Sequence, residues 1–466
     1  MELKRLLLER LLSWARNGSS KPLLLQGPRQ TGKSWLLREL GRQAFQYTAY
    51  FDFAARPELD AVFAGTRDPE VLIRDLAAFS KVPIQPGRTL LVFDEIQRSP
   101  AALGALRFFA EKAPQYAVAG AGCFLGAVTK HLDLSVPSRV QLEHVWPLSF
   151  EEFVLTFNPE LWGRLKEKRT IEPVEDFLWP ELERLFRIYM IVGGMPAAVA
   201  GFRAGQGTDE IDRTLDAILA LYRADFSQYA TPTEAARIAA VWDAIPSQLA
   251  KPNSRFFVSQ IKKGARSREF APAVNWLETA GLIVKVHQVS EPGMPLEASW
   301  NPDVFKLYMT DIGLLNRQAA LTLARGGQKL QGRRNWKDVL AETFAAMSFM
   351  RQFGTAPCYW TSSNTAELAF LIAPFQDVVP VEVKARGSSR GRSLFIYRQK
   401  YSPSLNLRFS MKNLQLDTKE KVLSVPMPLA DLTSHYVGLA YREMSESEEE
   451  DPLEALRKPL WSPEKQ

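Results

Sequence analysis

Lys33 and Ser34 close the stretch "GPRQTGKS", Gly27 to Ser34, and Asp94 and Glu95 end the apolar run "TLLVFDE" further along the chain. The first stretch fits G-x-x-x-x-G-K-[ST], with the strand-like "LLL" before it and the helix-like "WLLREL" after it. Such a loop turns successive backbone N–H groups toward the β- and γ-phosphates of a nucleotide and sets a helix N-terminus behind them. Gly27, Pro28, Arg29, Gln30, Thr31, Gly32, Lys33 and Ser34 are therefore expected to bind ATP, with Lys33 neutralising phosphate charge and the Ser34 hydroxyl ligating Mg²⁺. Asp94 is expected to hold the magnesium through water, and Glu95 to polarise the attacking water. Alone, the Asp-Glu pair reads as the solvated end of a buried strand; its pairing with the loop gives it a chemical meaning.

These residues need a sheet to hold them. The first 147 residues alternate short apolar runs with amphipathic stretches, the pattern of a helix-covered parallel sheet. The candidate strands are "PLLLQ", "AYFDFA", "TLLVFD", "YAVAG" and "VQLEHV". Residues 148–230 read as a helical subdomain broken by "GGMP", and residues 231–300 as three helical blocks followed by a β-branched run, the order of a winged helix. Residues 301–430 read as a mixed α/β region, and 431–466 as a charged mobile tail.

At 466 residues the chain is too long for one ordinary core. Its 46% hydrophobic and 24% charged residues are those of a globular protein. Two cysteines and four scattered histidines exclude a disulfide framework and a Cys-rich zinc site, and suit a reducing cytosol. No apolar run reaches the length of a transmembrane helix, so no membrane partner is expected. The net charge of +6 permits nucleic-acid contact. The basic residues gather at Lys262, Lys263, Arg266 and Arg268, between two helices of the winged-helix-like segment, and again from Lys384 to Arg392. The first cluster reads either as a DNA phosphate contact or as the solvated end of a helix.

In order, "GPRQTGKS", "DEIQRSP", "AGCFLG", "PLSFEEF", "GGMP", "IPSQLAKPNSRF", "FKLYMTDIGLL", "LAETF", "YWTSSNTAELAFLI" and "PVEVKARG" give the chain a resemblance to the AAA+-type ATPases (AAA_14) that carry a C-terminal DUF4143 domain. The resemblance implies a P-loop NTPase sheet followed by a nuclease-like domain of the PD-(D/E)XK class. It implies that Cys123 stands where the family has a serine sensing the γ-phosphate, and a thiol is the weaker hydrogen-bond donor. It also implies that Arg139 stands where an arginine reaches a neighbouring subunit's nucleotide, in a homo-oligomer. An ordinary surface arginine is the alternative.

For the C-terminal region the resemblance implies a helix acid at Glu342 and a Glu-x-Lys pair at Glu382 and Lys384. Ala369 stands where the strand-end aspartate belongs, and a methyl group ligates nothing. Glu367 shares the strand face of Ala369 and is the candidate replacement. A degenerate nuclease is therefore expected, in which Lys384, Arg386, Arg390 and Arg392 grip a phosphate backbone. The whole reads as a cytoplasmic, ATP-hydrolysing switch that engages nucleic acid. Its rivals are an ATP-gated metal-dependent nuclease, a small-molecule P-loop kinase without the expected Arg-rich lid, and an ATP-ordered interaction scaffold.

Overall fold

The computed structural model describes residues 3–18, 21–123, 125, 139–324, 335–362, 366–384 and 391–449. The chain begins with α1 (Leu7–Arg16), β1 (Leu23–Gln26), α2 (Lys33–Ala44), β2 (Tyr47–Asp52), α3 (Leu59–Gly65), α4 (Pro69–Ala77), β3 (Thr89–Asp94), α5 (Pro100–Lys112), β4 (Ala117–Gly122) and β5 (Gln141–His144). Seven helices follow: α6 (Phe150–Phe157), α7 (Pro159–Glu167), α8 (Trp179–Val192), α9 (Pro196–Arg203), α10 (Thr208–Tyr229), α11 (Pro232–Leu249) and α12 (Ser267–Thr279). Then come β6 (Ile283–Val289), β7 (Trp300–Met309), α13 (Ile312–Ala324), α14 (Trp336–Phe353), β8 (Cys358–Thr361), β9 (Glu367–Ile372) and β10 (Val379–Val383). The last elements are α15 (Arg392–Tyr401), β11 (Asn406–Ser410), β12 (Gln415–Asp417), β13 (Val422–Pro426) and α16 (Thr433–Glu449).

Two compact units divide the chain, one of Met1–Thr156, Tyr189–Val284 and Leu307–Gln331, the other of Phe157–Ile188, Lys285–Lys306 and Gly332–Gln466. Neither is continuous in sequence, so the linear boundaries expected from composition do not coincide with them.

The first unit holds a parallel sheet of order β2-β3-β4-β1-β5. Its central strands β1, β4 and β3 are buried on both faces. Leu91 and Phe93 pack with Phe51, Phe63, Leu72 and Leu106 on one side. Leu90 and Val92 pack with Leu11, Leu36, Leu37 and Leu40 on the other. This is why "TLLVFD" is an unbroken apolar run rather than an alternating one. The five expected strands are all present, each within a few residues of its expected bounds. In a parallel sheet the carboxyl ends of the strands form the functional edge. Gln26 and Asp94 both end their strands there, with only β4 between β1 and β3.

Helices α9 to α12 follow the helical reading, and α11 starts with a capping box, the Thr231 hydroxyl and the Glu234 carboxylate each accepting from the other's backbone N–H, with Pro232 at the first position. Three quoted motifs meet at one joint. Leu148 N–H donates to Gly194 O at 2.7 Å, while Gly194 N–H donates to Asp311 Oδ2 at 2.7 Å. Asp311 Oδ1 accepts from Leu314 N–H at 2.9 Å, so its carboxylate also starts α13.

Three expectations are corrected. Between α11 and α12 the expected middle helix is a single 3₁₀ turn, Val258–Gln260, because Pro252 and Gly264 bracket a segment too short to propagate a helix. The β-branched run β6 is not an isolated wing: it pairs in parallel with β8, Val289 beside Trp360, within an eight-stranded sheet. Residues 433–449 are helical rather than a tail, since Tyr436, Val437, Ala440 and Met444 recur on one face and are buried. Residues 450–466 lie outside the described residues.

The sheet of the second unit has the order β12-β13-β11-β10-β9-β8-β6-β7. Within it, Lys306 of β7 is fully buried, its ammonium 2.6 Å from Glu367 Oε1 and 4.7 Å from the centre of the Tyr359 ring. Glu367→Ala would strand that charge. A fully buried pair broken on one side costs about 3–5 kcal/mol, and the partial exposure of Glu367 lowers this to roughly 2–3 kcal/mol. The expected result is a lower urea midpoint at an unchanged slope, measured by circular dichroism.

Candidate nucleotide site

The loop between β1 and α2 is shaped by its neighbours. Gly27 has φ +154°, and a Cβ there would stand 2.3 Å from Val145 O at the end of β5, so no larger residue fits. Gly32 adopts the left-handed conformation as the N-cap of α2, which turns the chain into the helix. Thr31 Oγ1 donates to Pro28 O at 2.9 Å and closes the turn from within.

Arg5, ahead of α1, supports the loop from behind. Its guanidinium donates to Thr31 O at 2.7 Å and Trp146 O at 2.9 Å, and Nε lies 3.3 Å from Glu152 Oε1. All of these groups are buried or nearly so, which fixes the loop more firmly than a surface pair would. Nothing in the amphipathic reading of the N-terminus separates Arg5 from Lys4 or Arg10.

Lys33 points back into the loop, donating to Gly27 O at 3.0 Å and Pro28 O at 2.7 Å. Burial holds its pKa below that of an ordinary lysine; Cys123, Glu95 and Asp94 oppose the shift and Arg29 adds to it. A desolvated cation held by two carbonyls is poised to exchange them for phosphate oxygens.

Asp94 is buried at the end of β3, and its Oδ1 accepts from Glu95 N–H at 3.0 Å. Its Oδ2 accepts from the Tyr50 hydroxyl. A phenol on β2 thus fixes the carboxylate of one of the two expected magnesium ligands. The Ser34 hydroxyl, next to Lys33 at the start of α2, and the Asp94 carboxylate, which Lys33 feels from the end of β3, are hard oxygen donors of the kind that fits Mg²⁺ retaining several waters. Burial, with Asp94 beside it, raises the Tyr50 pKa, so the phenol stays protonated and donates.

Glu95 has φ +54° and ψ +36°, a left-handed conformation that costs a non-glycine residue about 1–3 kcal/mol. The turn swings its carboxylate onto Gln97, whose Nε2 donates to Glu95 Oε2 at 2.6 Å and to Cys123 Sγ at 3.2 Å. Gln97 therefore ties the expected water-polarising acid to the expected sensor position. The Cys123 thiol is fully buried; burial pushes its pKa up to about 11, with Lys33 opposing and Glu95 reinforcing, so it is neutral at pH 7.

A family model described as an AAA domain, AAA_14, matches residues 19–154, the span that carries this geometry. A second model, a domain of unknown function named DUF8612, matches residues 183–325, whereas the resemblance implied a DUF4143 domain over 301–430. No curated protein sequence matches the chain.

Among solved structures, the chain is similar to the Walker-type ATPase PABY2304 of Pyrococcus abyssi, at 14% identity and a TM-score of 0.44 over 68% of this chain and 96% of that one. It is also similar to Cdc6p from Pyrobaculum aerophilum, at 14% identity and a TM-score of 0.25 over 68% and 91%. A third likeness is to Drosophila ORC bound to DNA, at 12% identity and a TM-score of 0.26 over 67% and 85%. At these scores none of the three bears on the role of a residue.

Within the matched span, Arg139 does not join the cluster. It precedes β5 at the amino edge of the sheet, opposite the phosphate loop, and its Nη1 lies 3.3 Å from Glu111 Oε1. Arg98 is exposed at the end of the turn after β3.

Outside that span, the described carboxylates of the second unit do not form a metal site. Glu342 is buried on α14 and Ala369 on β9, while Glu367 is paired with Lys306. Glu382 has Lys384 Nζ 2.9 Å from one oxygen and Arg408 Nε 3.2 Å from the other. Cations already occupy the oxygens that a divalent ion would need. Among the described residues no group of three or more His, Cys, Asp or Glu is placed to hold a metal ion. Glu367 as the replacement ligand is thereby corrected: its carboxylate neutralises a buried lysine. Lys262 and Lys263 are exposed in the turn before α12, Arg266 is its N-cap and Arg268 lies in its first turn. Arg386 lies outside the described residues. No described helix is long and apolar enough to cross a membrane.

Proposed function

We propose that the chain is an ATP-hydrolysing switch. The observation that carries this reading is the buried Lys33 ammonium, held in the phosphate loop and facing Asp94 and Glu95 at the end of the neighbouring strand. Lys33 and the loop amides would hold the phosphates, and Ser34, with Asp94 acting through water, would hold Mg²⁺, which would supply charge neutralisation. Glu95 orients water once Gln97 releases it. Arg139, exposed and paired with Glu111, acts on the nucleotide of a neighbouring copy in an oligomer.

The output of the switch is nucleic acid, DNA in the first instance. What supports this is the exposed group Lys262, Lys263, Arg266 and Arg268. Three or four cations around a helix N-terminus oppose the helix dipole, an arrangement that favours an anionic partner over bare solvent. The segment 231–300 is read as the binding module and the C-terminal region as a nuclease-like domain without hydrolytic metal.

The deciding measurement is steady-state phosphate release with and without duplex DNA across a salt series. Stimulation by DNA that fades steeply with salt is expected, and replacing the four basic residues together should remove it without changing the basal rate. Stimulation independent of salt, or untouched by the replacement, would refute the DNA contact. A second reading, ATP binding that orders a scaffold, is favoured by the Gln97 hydrogen bond that occupies Glu95; it predicts binding without turnover under every condition.

A further inference from the structure

Helix α10 turns one face, Tyr222, Asp225 and Tyr229, toward a single residue of the phosphate loop. The Tyr222 hydroxyl donates to Arg29 O at 2.9 Å, and Arg29 Nη2 donates to the Tyr229 hydroxyl at 3.3 Å. Between them, Asp225 Oδ2 lies 3.2 Å from Arg29 Nε. Asp225 is 1% exposed, yet neither its Oδ2 nor Arg29 Nε makes a hydrogen bond. The two are in charge contact without the aligned N–H···O of a strong arginine–carboxylate pair.

Other charges surround this pair. Asp225 feels Arg29 and Lys33 from the loop and the start of α2, and Glu95 and Arg98 from the turn after β3. Tyr222 beside it feels Cys123 and Asp311. A buried carboxylate at this place meets a triphosphate that brings several negative charges. Both need the same guanidinium, and in a desolvated site they cannot share it.

We propose that Asp225 is a positioning residue of the nucleotide site: it holds Arg29 against α10 in the absence of phosphate and yields it when nucleotide binds, so that α10 responds to occupancy. The proposal rests on the loop being an ATP site. Burial, reinforced by Glu95 and opposed by Arg29, Lys33 and Arg98, pushes the Asp225 pKa up to about 6, so the carboxylate is ionised and competing at neutral pH. Below that value it is neutral and lets Arg29 go. The poor alignment of the pair keeps the exchange cheap, and the two tyrosines give the helix its hold on the loop.

Full-length protein is titrated with a non-hydrolysable ATP analogue and Mg²⁺ by calorimetry at pH 8 and pH 5.5. Asp225→Asn is expected to bind about tenfold more tightly than wild type at pH 8, the gap closing to about twofold at pH 5.5. Comparing the two proteins cancels the ionisation of the nucleotide itself. Hydrogen exchange of wild type should show the amides of 222–229 changing when the analogue saturates the site. Equal or weaker binding by a folded Asp225→Asn, or exchange at 222–229 that ignores the analogue, overturns the proposal. If the variant does not fold, the wild-type exchange experiment decides alone. Absence of binding by wild type and variant together would instead overturn the ATP reading on which the proposal stands.

Discussion

Lys33→Ala should weaken ATP by roughly 10²–10⁴-fold, because the variant loses two charge-assisted hydrogen bonds worth about 1.5–3 kcal/mol each. The size of the effect follows from the burial of the ammonium. Its only hydrogen-bond partners among the described residues are the carbonyls of Gly27 and Pro28. Its pKa is lowered, so it is a cation already stripped of water, and the phosphates meet it without a desolvation cost. Stability should change little, since the alanine removes a buried charge together with its burden. Calorimetric titration checks the affinity, and a thermal melt in the absence of nucleotide checks the fold. An affinity within threefold of wild type would move the nucleotide elsewhere.

Glu95→Gln should leave nucleotide affinity near that of wild type and lower the rate of hydrolysis by about 10²–10⁴-fold, the usual contribution of a positioned base. The amide keeps the shape but not the charge that orients water. Gln97 bears on the same measurement. Its Nε2 holds Glu95 on one side and Cys123 on the other, so the acid is oriented by a side chain that also reads the sensor position. Cys123→Ser replaces a weak acceptor by a strong one at the same site, which should draw Gln97 toward residue 123 and free Glu95. Steady-state phosphate release should therefore rise in Cys123→Ser and fall in Glu95→Gln. If the serine variant hydrolyses no faster, Gln97 does not restrain the acid.

The parts of this site that were legible in the sequence are those whose geometry is local. Eight consecutive residues between a strand and a helix make the phosphate loop, and an apolar strand delivers Asp94 and Glu95 whatever surrounds it. Arg5, Tyr50, Gln97 and Asp225 were not legible, because each is brought to the loop by a different long-range element: the N-terminal arm, β2, the turn after β3 and α10. Asp225 alone left a trace. It interrupts an apolar stripe of Ile218, Leu219, Tyr222 and Phe226, and a buried acid in such a stripe needs a partner somewhere.

The C-terminal region erred in the opposite direction. Glu367 looked like a spare metal ligand because strand alternation places it beside Ala369, and alternation says nothing about Lys306 arriving from β7. The expected tail likewise hid a helix. Charged residues set its composition, while four buried positions set its fold.

The joint of Leu148, Gly194 and Asp311 places a demand on synthesis. A ribosome delivers the first two residues well before the third, by on the order of ten seconds at about 5–20 residues per second. During that interval the nucleotide sheet has all five strands, yet the glycine turn after α8 has an N–H whose acceptor has not been made. The nascent chain must therefore keep a half-built seam soluble until α13 emerges, and the seam, rather than the sheet, is the step at which a trapped or chaperone-held intermediate would form.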